Sequence, residues 1–367
     1  MADFGKPLYE GKIQYCLRCC MPETSEGINY DERGICQACR SSEMKMHIDW
    51  NAREKELRKI LEEAKQNSGN NYDCMVPISG GKDSIFQLHI LTRVYGMRPL
   101  ACTFSHNWYS KTGWENLWNC LEKLDVDHIM FTPRRSLVNR LAKKSLYAIG
   151  DSCWHCHAGV GAFPLQITIK YGIKLMVWGE STAEFGSKAT YEKPIEFDNE
   201  YYMKVSTKVS PEKMIDGQNI TAKDVVPFQL PTKEEFLKAG IRGIHLGDYI
   251  FWDGERQVEF IKKEYGWQED KIEGTYKGYK SVECRMPGMH DYLKFLKRGF
   301  GRATDHASQD VRAGILTREE GFELVKKYDP EKPARAMEEY LKITGLTEEE
   351  VVTTVRSMRT GKAKDLP

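Results

Sequence analysis

The residues Ser79-Gly-Gly-Lys-Asp-Ser84 bring together two glycines, a lysine, an aspartate and two hydroxyls. They follow a short apolar run and precede a helical pattern. In that setting free backbone amides and a helix N-terminus can cradle phosphate oxygens. Gly80 and Gly81 allow a tight turn and close approach of an anion. Lys82 adds positive charge, and Asp83 offers oxygen to Mg²⁺. The spacing is not that of a Walker A loop. A second chemistry-bearing pattern is Cys16-x-x-Cys19 and Cys36-x-x-Cys39, the two pairs separated by 16 residues. Paired C-x2-C turns present four thiolates to one tetrahedral ion, which predicts a closed structural zinc site. A third pattern is Cys153-Trp-His-Cys156, with Cys284 far downstream. It has three readings: a second metal site to which His155 or His157 could contribute, a reactive thiol pair, or ordinary buried cysteine.

These residues need a scaffold, and the hydrophobic patterning supplies an α/β one. Strands are predicted at 72–78, 99–104, 128–132 and 173–178. Helices are predicted at 47–66, 85–95, 114–124, 137–149 and 159–171. Strands alternating with helices imply a doubly wound parallel sheet covered on both faces. Residues 1–45 read as a zinc-ribbon-like segment with strand-like fragments such as 27–30. Residues 46–180 read as the α/β core that carries the Ser79–Ser84 loop, and 181–254, rich in turns, as an insertion or substrate lid. Residues 255–367 form a helical C-terminal region with helices at 255–265, 289–298, 317–327, 333–343 and 347–359. Thr317 and Glu320 make a capping box, and residues 361–367 read as a frayed tail.

Composition narrows the function. Lys plus Arg total 54 and Asp plus Glu 53 in 367 residues, a net charge of +1. That balance argues against a broad basic surface for nucleic acid. No apolar run approaches the ~20 residues of a membrane span, and the N-terminus lacks a signal-peptide layout. The expectation is a cytoplasmic protein whose 11 cysteines serve metal binding or catalysis rather than disulfides. Cys74, Cys102 and Cys120 lie in apolar or helical segments and read as core residues.

The loop Ser79–Ser84 resembles the signature of the PP-loop ATP pyrophosphatases, over about residues 72–180. The resemblance implies that Ser79, Gly80, Gly81, Lys82, Asp83 and Ser84 bind the pyrophosphate part of ATP, with Mg²⁺. It places Ser105, Gly179 and Glu180 at nucleotide contacts. Such enzymes adenylate a carbonyl oxygen, and a nucleophile then displaces AMP. Further motifs, Gly179-Glu-Ser-Thr-Ala-Glu-Phe-Gly186, Gly247–Asp253, Phe300–Ser308, Arg312–Glu320 and Lys327-Tyr-Asp329, resemble the bacterial N-acetyl sugar amidotransferases of O-antigen and nonulosonic-acid pathways. Ser181 departs from that pattern, where Asn is frequent.

This second resemblance implies conversion of an acetamido group on a cell-surface sugar into an acetamidino group. Lys82, Asp83, Asp305 and His306 are then the catalytic candidates. Arg302 or Lys297 would reach ATP phosphates or the sugar nucleotide, with Glu184 and Arg312 as further substrate candidates. No glutaminase half is recognisable, so ammonia is expected from a separate HisH-like glutaminase, with a HisF-like ammonia-channelling subunit as an optional third component. An alternative is a PP-loop tRNA thiolase. In that family a C-x-x-C and a third cysteine hold a [4Fe–4S] cluster, a role that would fall here to Cys153, Cys156 and Cys284. The aromatic residues Phe197, Tyr201, Tyr202, Phe228, Tyr249 and Trp252 suit sugar stacking or core packing. A non-catalytic zinc-ribbon adaptor would leave the phosphate loop unexplained.

Overall fold

The computed structural model describes residues 4–185, 189–196 and 209–367. At its centre lies a parallel sheet of β1 (Cys74–Pro77), β2 (Pro99–Phe104), β3 (His128–Phe131), β4 (Leu175–Trp178) and β5 (Arg242–His245), in the order β3-β2-β1-β4-β5. Every residue of β1 and β2 is buried, as strands covered on both faces require. Register pairs Met75 with Leu100 on one side and with Met176 on the other. The chain runs from β1 outward through β2 to β3, then returns to place β4 against the opposite edge of β1. The crevice beyond the carboxyl ends of β1 and β4 is therefore the topological switch point, where open α/β sheets bind ligands.

Helices cover both faces. On one side α2 (Trp50–Ser68), α3 (Lys82–His89), α4 (Lys111–Leu124) and α9 (Gly254–Tyr265) pack Leu57, Leu88, Leu117 and Ile261 against Cys74 and Val76. On the other, α5 (Arg135–Ile149) and α6 (Trp154–Lys170) pack Leu141, Trp154 and Phe163 against Met75 and Leu100. The two-residue period of a strand makes this split, since neighbouring residues of β1 face opposite cores. A third core joins α5 to the C-terminal helices α10 (Pro287–Arg298), α13 (Ala334–Thr344) and α14 (Glu348–Ser357) through Val138, Leu293, Tyr340 and Val355. Between them run α11 (Arg302–Arg312) and α12 (Arg318–Tyr328). The Thr317–Glu320 capping box is present.

The structure differs from the sequence reading in five places. The turn-rich 181–247 stretch holds the short helix α7 (Ala222–Val225), whose Val225 is buried, then α8 (Lys233–Ala239), whose Phe236 is buried, and β5, which pairs with β4. A four-residue strand preceded by loops carries too little periodicity to stand out. The segment around the first four cysteines has isolated bridges (Tyr15 to Pro22, Tyr30 to Cys36) instead of ribbon strands, and its last cysteine sits in α1 (Gln37–Lys45). Helix α6 begins at Trp154, so Cys156 lies in its first turn. Helix α11 has no counterpart in the sequence reading, because its buried face is made of small and polar residues such as Ala303, Thr304, His306, Ala307 and Ser308 and carries no large apolar side chain. The tail is not frayed: residues 361–365 form a 3-10 turn, and Ala363 and Leu366 are buried against Ile13 and Tyr15. Of the aromatic residues singled out above, Phe228, Tyr249 and Trp252 are buried core members, whereas Phe197, Tyr201 and Tyr202 lie outside the described residues.

Candidate functional site

The loop Ser79–Gly81 leaves the carboxyl end of β1 at the switch point and opens α3, with Gly81 as its N-cap. Gly80 adopts φ +86. A Cβ there would lie 2.9 Å from the Gly113 carbonyl oxygen and from Leu117 Cβ, so both its backbone and its space demand glycine. The loop is tied internally. Ser84 Oγ donates to the Gly81 carbonyl at 2.9 Å, and Ser79 Oγ accepts from the Gly81 amide at 3.3 Å. It is also held from outside: Trp267 Nε1 donates to the Gly80 carbonyl at 2.9 Å, and the Tyr109 hydroxyl to the Ser79 carbonyl at 3.0 Å. Its shape is thus set without a ligand, the preorganisation that anion binding rewards.

Charged groups converge on this loop. Lys82 is 2% exposed and pairs with Asp83, which also accepts from Trp252 Nε1 at 3.1 Å. Burial opposes the Lys82 charge, but Asp83 and Glu180 more than offset it and its pKa rises. Glu180, just after β4, is pushed up to about 7, first by burial and then by the Asp83 charge. Lys280 is held below the usual lysine range by burial and by Lys82. Burial also raises Glu283, whose buried Oε2 has no hydrogen-bond partner among the described residues. That oxygen lies 3.2 Å from where a Cβ on Gly81 would sit. An unpaired buried carboxylate oxygen beside an anion-type loop fits a cation or a ligand hydrogen as its partner.

Lys280 and Glu283 escape sequence reading because they sit in a non-periodic connector. The fold brings them in by docking that connector on the β2–α4 junction. The Ser110 amide donates to the Glu283 carbonyl at 3.0 Å, the Arg285 amide to the Trp108 carbonyl at 2.9 Å, and Tyr109 bridges to Cys284. The Ser110 hydroxyl donates to the Val282 carbonyl. Gly113 makes the approach feasible, since a Cβ there would fall 2.2 Å from Glu283 Cα.

The remaining candidates divide. The Arg302 guanidinium is bound by the Asp291 carboxylate and by Ser281 Oγ at 2.5 Å. Asp305 accepts from Lys294 at 2.5 Å. His306 Nδ1 lies 2.6 Å from Thr275 Oγ1, and burial, with Lys280 and Arg302 nearby, holds it well below the usual histidine range. The α11 N-terminus that presents them is capped by Asp329, which accepts from the Gly301 and Ala303 amides at 2.8 Å and from Thr304 Oγ1 at 2.6 Å. Lys297 reaches the Ile149 carbonyl at 2.7 Å, at the end of α5. Glu184 pairs with Lys45 at 2.5 Å and accepts from the Tyr191 hydroxyl. Arg312 reaches from the Glu184 carbonyl (3.3 Å) to the Cys19 sulfur (4.0 Å), joining the loop after β4 to the N-terminal cysteines. Ser105 is buried at the end of β2, and its Oγ accepts from the Asn107 amide at 3.4 Å. Gly179 packs against Trp252, 3.1 Å from its would-be Cβ.

Cys16, Cys19, Cys36 and Cys39 are buried, with all four sulfurs within 4.8 Å of one another. Cys16 and Cys39 sulfurs are 3.9 Å apart and those of Cys19 and Cys36 3.7 Å. A tetrahedral ion with bonds of about 2.3 Å sets its sulfurs about 3.8 Å apart. The Cys36 amide donates to Cys16 Sγ at 3.2 Å, and Arg318 holds the Cys16 and Cys19 carbonyls at 2.8 to 3.1 Å. This group could bind a metal ion. Cys153, Cys156 and Cys284 pack in one apolar cluster. The ligand atoms gathered within 4.8 Å there, however, belong to Asp151, Cys153 and His290. Neither Asp151 nor His290 was singled out by the sequence, because a lone Asp and a lone His 139 positions apart carry no motif.

Comparison with known proteins places these observations. Residues 273–364 match the family described as LPS biosynthesis protein WbpG-like, C-terminal domain. The match includes Lys280, Glu283, His290, Arg302, Asp305 and His306. The NMN synthetase of Francisella tularensis aligns over 86% of this chain and 98% of its own, with 11% identity and a TM-score of 0.33, too low to transfer a fold or a function. The uncharacterized protein MJ1599 of Methanocaldococcus jannaschii is 30% identical over 319 residues, 86% of this chain and 94% of that protein. The chain therefore belongs to the same protein family as MJ1599.

Proposed function

We propose that this protein is an ATP-dependent, AMP-forming amidotransferase of the PP-loop type that acts on a cell-surface sugar in lipopolysaccharide synthesis. One observation carries the reading. The Ser79–Ser84 loop lies at the switch point of a parallel sheet, with Lys82 buried beneath it and Asp83, Glu180, Lys280 and Glu283 around it. The WbpG-like match over residues 273–364 supports the pathway assignment. A neutral chain favours a small anionic substrate over tRNA.

In this reading the loop amides and Lys82 bind the β- and γ-phosphates, and Asp83 and Glu180 are the oxygens available to Mg²⁺. The acetamido oxygen attacks the α-phosphorus and pyrophosphate leaves. Ammonia then adds to the activated carbon, AMP departs with the former amide oxygen, and loss of a proton leaves the amidine. The protein's part is positioning and charge stabilisation. Arg302, Asp305 and His306, fixed by Asp291, Lys294 and Thr275, would face the reacting amide, His306 within the influence of the Lys280 charge. Ammonia would come from a separate glutaminase. Zinc at Cys16, Cys19, Cys36 and Cys39 would hold the N-terminal segment against α11 and α12 and take no part in the reaction.

The test supplies ATP, Mg²⁺, ammonium and a diacetamido sugar nucleotide whose acetamido oxygen is ¹⁸O. The expected products are pyrophosphate, ¹⁸O-labelled AMP and a sugar with NH in place of oxygen. AMP without label, or sulfur transfer to tRNA in its place, would overturn the reading.

A further inference from the structure

Between the end of α5 and helix α10 lies a small cavity of about 40 Å³, lined by Gly150, Asp151, His290, Lys294, Lys297 and Arg298. Two lining residues, Asp151 from the α5–α6 connector and His290 from the first turn of α10, lie next to a third donor behind the wall, Cys153 at the N-cap of α6. Asp151 and Cys153 are buried and His290 is half-buried, and one ligand atom of each lies within 4.8 Å of the others. His290 Nδ1 is 2.9 Å from Asp151 Oδ1, and that same oxygen accepts from the Cys153 amide at 2.8 Å. One donor atom of each side chain is thus already within reach of a single ion, and the Asp151 turn holds Cys153 in place.

We infer that Asp151, Cys153 and His290 form a second metal site, for a divalent zinc-class ion, distinct from the four-cysteine group. One sulfur, one imidazole nitrogen and one carboxylate oxygen suit zinc, which accepts all three donor types at about 2.0–2.3 Å. Three protein ligands leave a fourth tetrahedral position, the arrangement of exchangeable or catalytic zinc and not of a closed structural site. Asp151 and His290 also line the cavity, so that position faces it. The basic residues of the cavity are engaged elsewhere, Lys294 with Asp305, Lys297 with the Ile149 carbonyl and Arg298 with Glu26, and the two charges of Asp151 and a Cys153 thiolate match one divalent ion. Binding breaks the Cys153 S–H bond, forms the metal–sulfur bond and releases one proton to solvent. Cys156 and Cys284, which the sequence groups with Cys153, are not ligands in this assignment.

The experiment is metal analysis of the full-length protein, loaded with zinc and desalted. Two zinc ions per chain are expected for the wild type. One is expected for His290→Ala and for Asp151→Asn, and two for Cys156→Ser and Cys284→Ser. Replacing zinc with Co²⁺ should give one visible spectrum from the four-thiolate group and a second, weaker in sulfur-to-metal charge transfer, that His290→Ala abolishes. His290 is half-buried, so this variant should fold, and circular dichroism checks that it does. Equal zinc content in wild type and His290→Ala would overturn the assignment. So would iron with acid-labile sulfide that depends on Cys156 and Cys284 and survives His290→Ala. Neither result bears on ATP chemistry at the phosphate loop, which the ¹⁸O experiment tests separately.

Discussion

Replacing Gly113 by alanine tests the central geometric claim, that the connector bearing Lys280 and Glu283 is seated on α4. The added Cβ would lie 2.2 Å from Glu283 Cα, 2.9 Å from its carbonyl carbon and 3.0 Å from its Cβ. Non-bonded carbons sit about 3.5–4.0 Å apart, so the backbone at Glu283 must retreat by about 1.5 Å. That movement strains the Ser110 amide bond to the Glu283 carbonyl, now 3.0 Å, and the Ser110 hydroxyl bond to Val282. Overpacking of this kind costs about 1–3 kcal/mol. The helix-propensity gain of Gly→Ala returns about 1 kcal/mol, leaving a net loss of about 0–2 kcal/mol. Function should suffer more than stability. A shift of about 1 Å in a positioned group can cost about 10²-fold in rate, and here two charged groups move together. Chemical denaturation measures the first effect and turnover at saturating ATP the second. Hydrogen exchange should show loosening confined to residues 279–285 and the start of α4. Wild-type stability together with wild-type turnover would refute the seating of the connector and, with it, the roles of Lys280 and Glu283.

Three further outcomes are expected. Lys82→Met keeps the buried stem but removes the charge; ATP affinity by calorimetry should fall about 10–100-fold, the loss of a charge-assisted phosphate contact of about 1.5–3 kcal/mol, and unchanged affinity would remove Lys82 from the site. Glu180 titrates near 4.5 when unfolded and near 7 when folded, so the folded state holds more protons between those values. Its contribution to stability is then largest at low pH and falls as pH rises from about 4.5 to 7; Glu180→Gln should flatten that part of the Tm–pH profile, and an unaltered slope would count against the burial of its charge. Asp329→Asn puts an amide where the Gly301 amide and the Thr304 hydroxyl need an acceptor, which should cost about 1–3 kcal/mol and lower turnover through α11; a neutral effect in thermal melts would mean that α11 is held by other contacts.

What the sequence alone determined was local. The Ser79–Ser84 loop is readable because backbone freedom, charge and hydroxyls are concentrated in six consecutive residues between a strand and a helix, and the structure puts it at the start of α3. The four N-terminal cysteines are readable because two C-x2-C pairs match the spacing a tetrahedral ion requires, and their sulfurs lie within 4.8 Å of one another. The alternating strands and helices of residues 72–178 follow from hydrophobic periodicity, and β2 falls on its expected bounds. Tertiary structure decided what has no local signature. β5 is four residues long and becomes a strand by pairing with β4. Lys280 and Glu283 reach the loop only because Gly113 lets one backbone pass close to another. Asp151 and His290 meet Cys153 only once α10 packs on the α5–α6 connector. Such contacts join residues far apart in the chain, and their energy lies in packing and burial that no window of sequence contains.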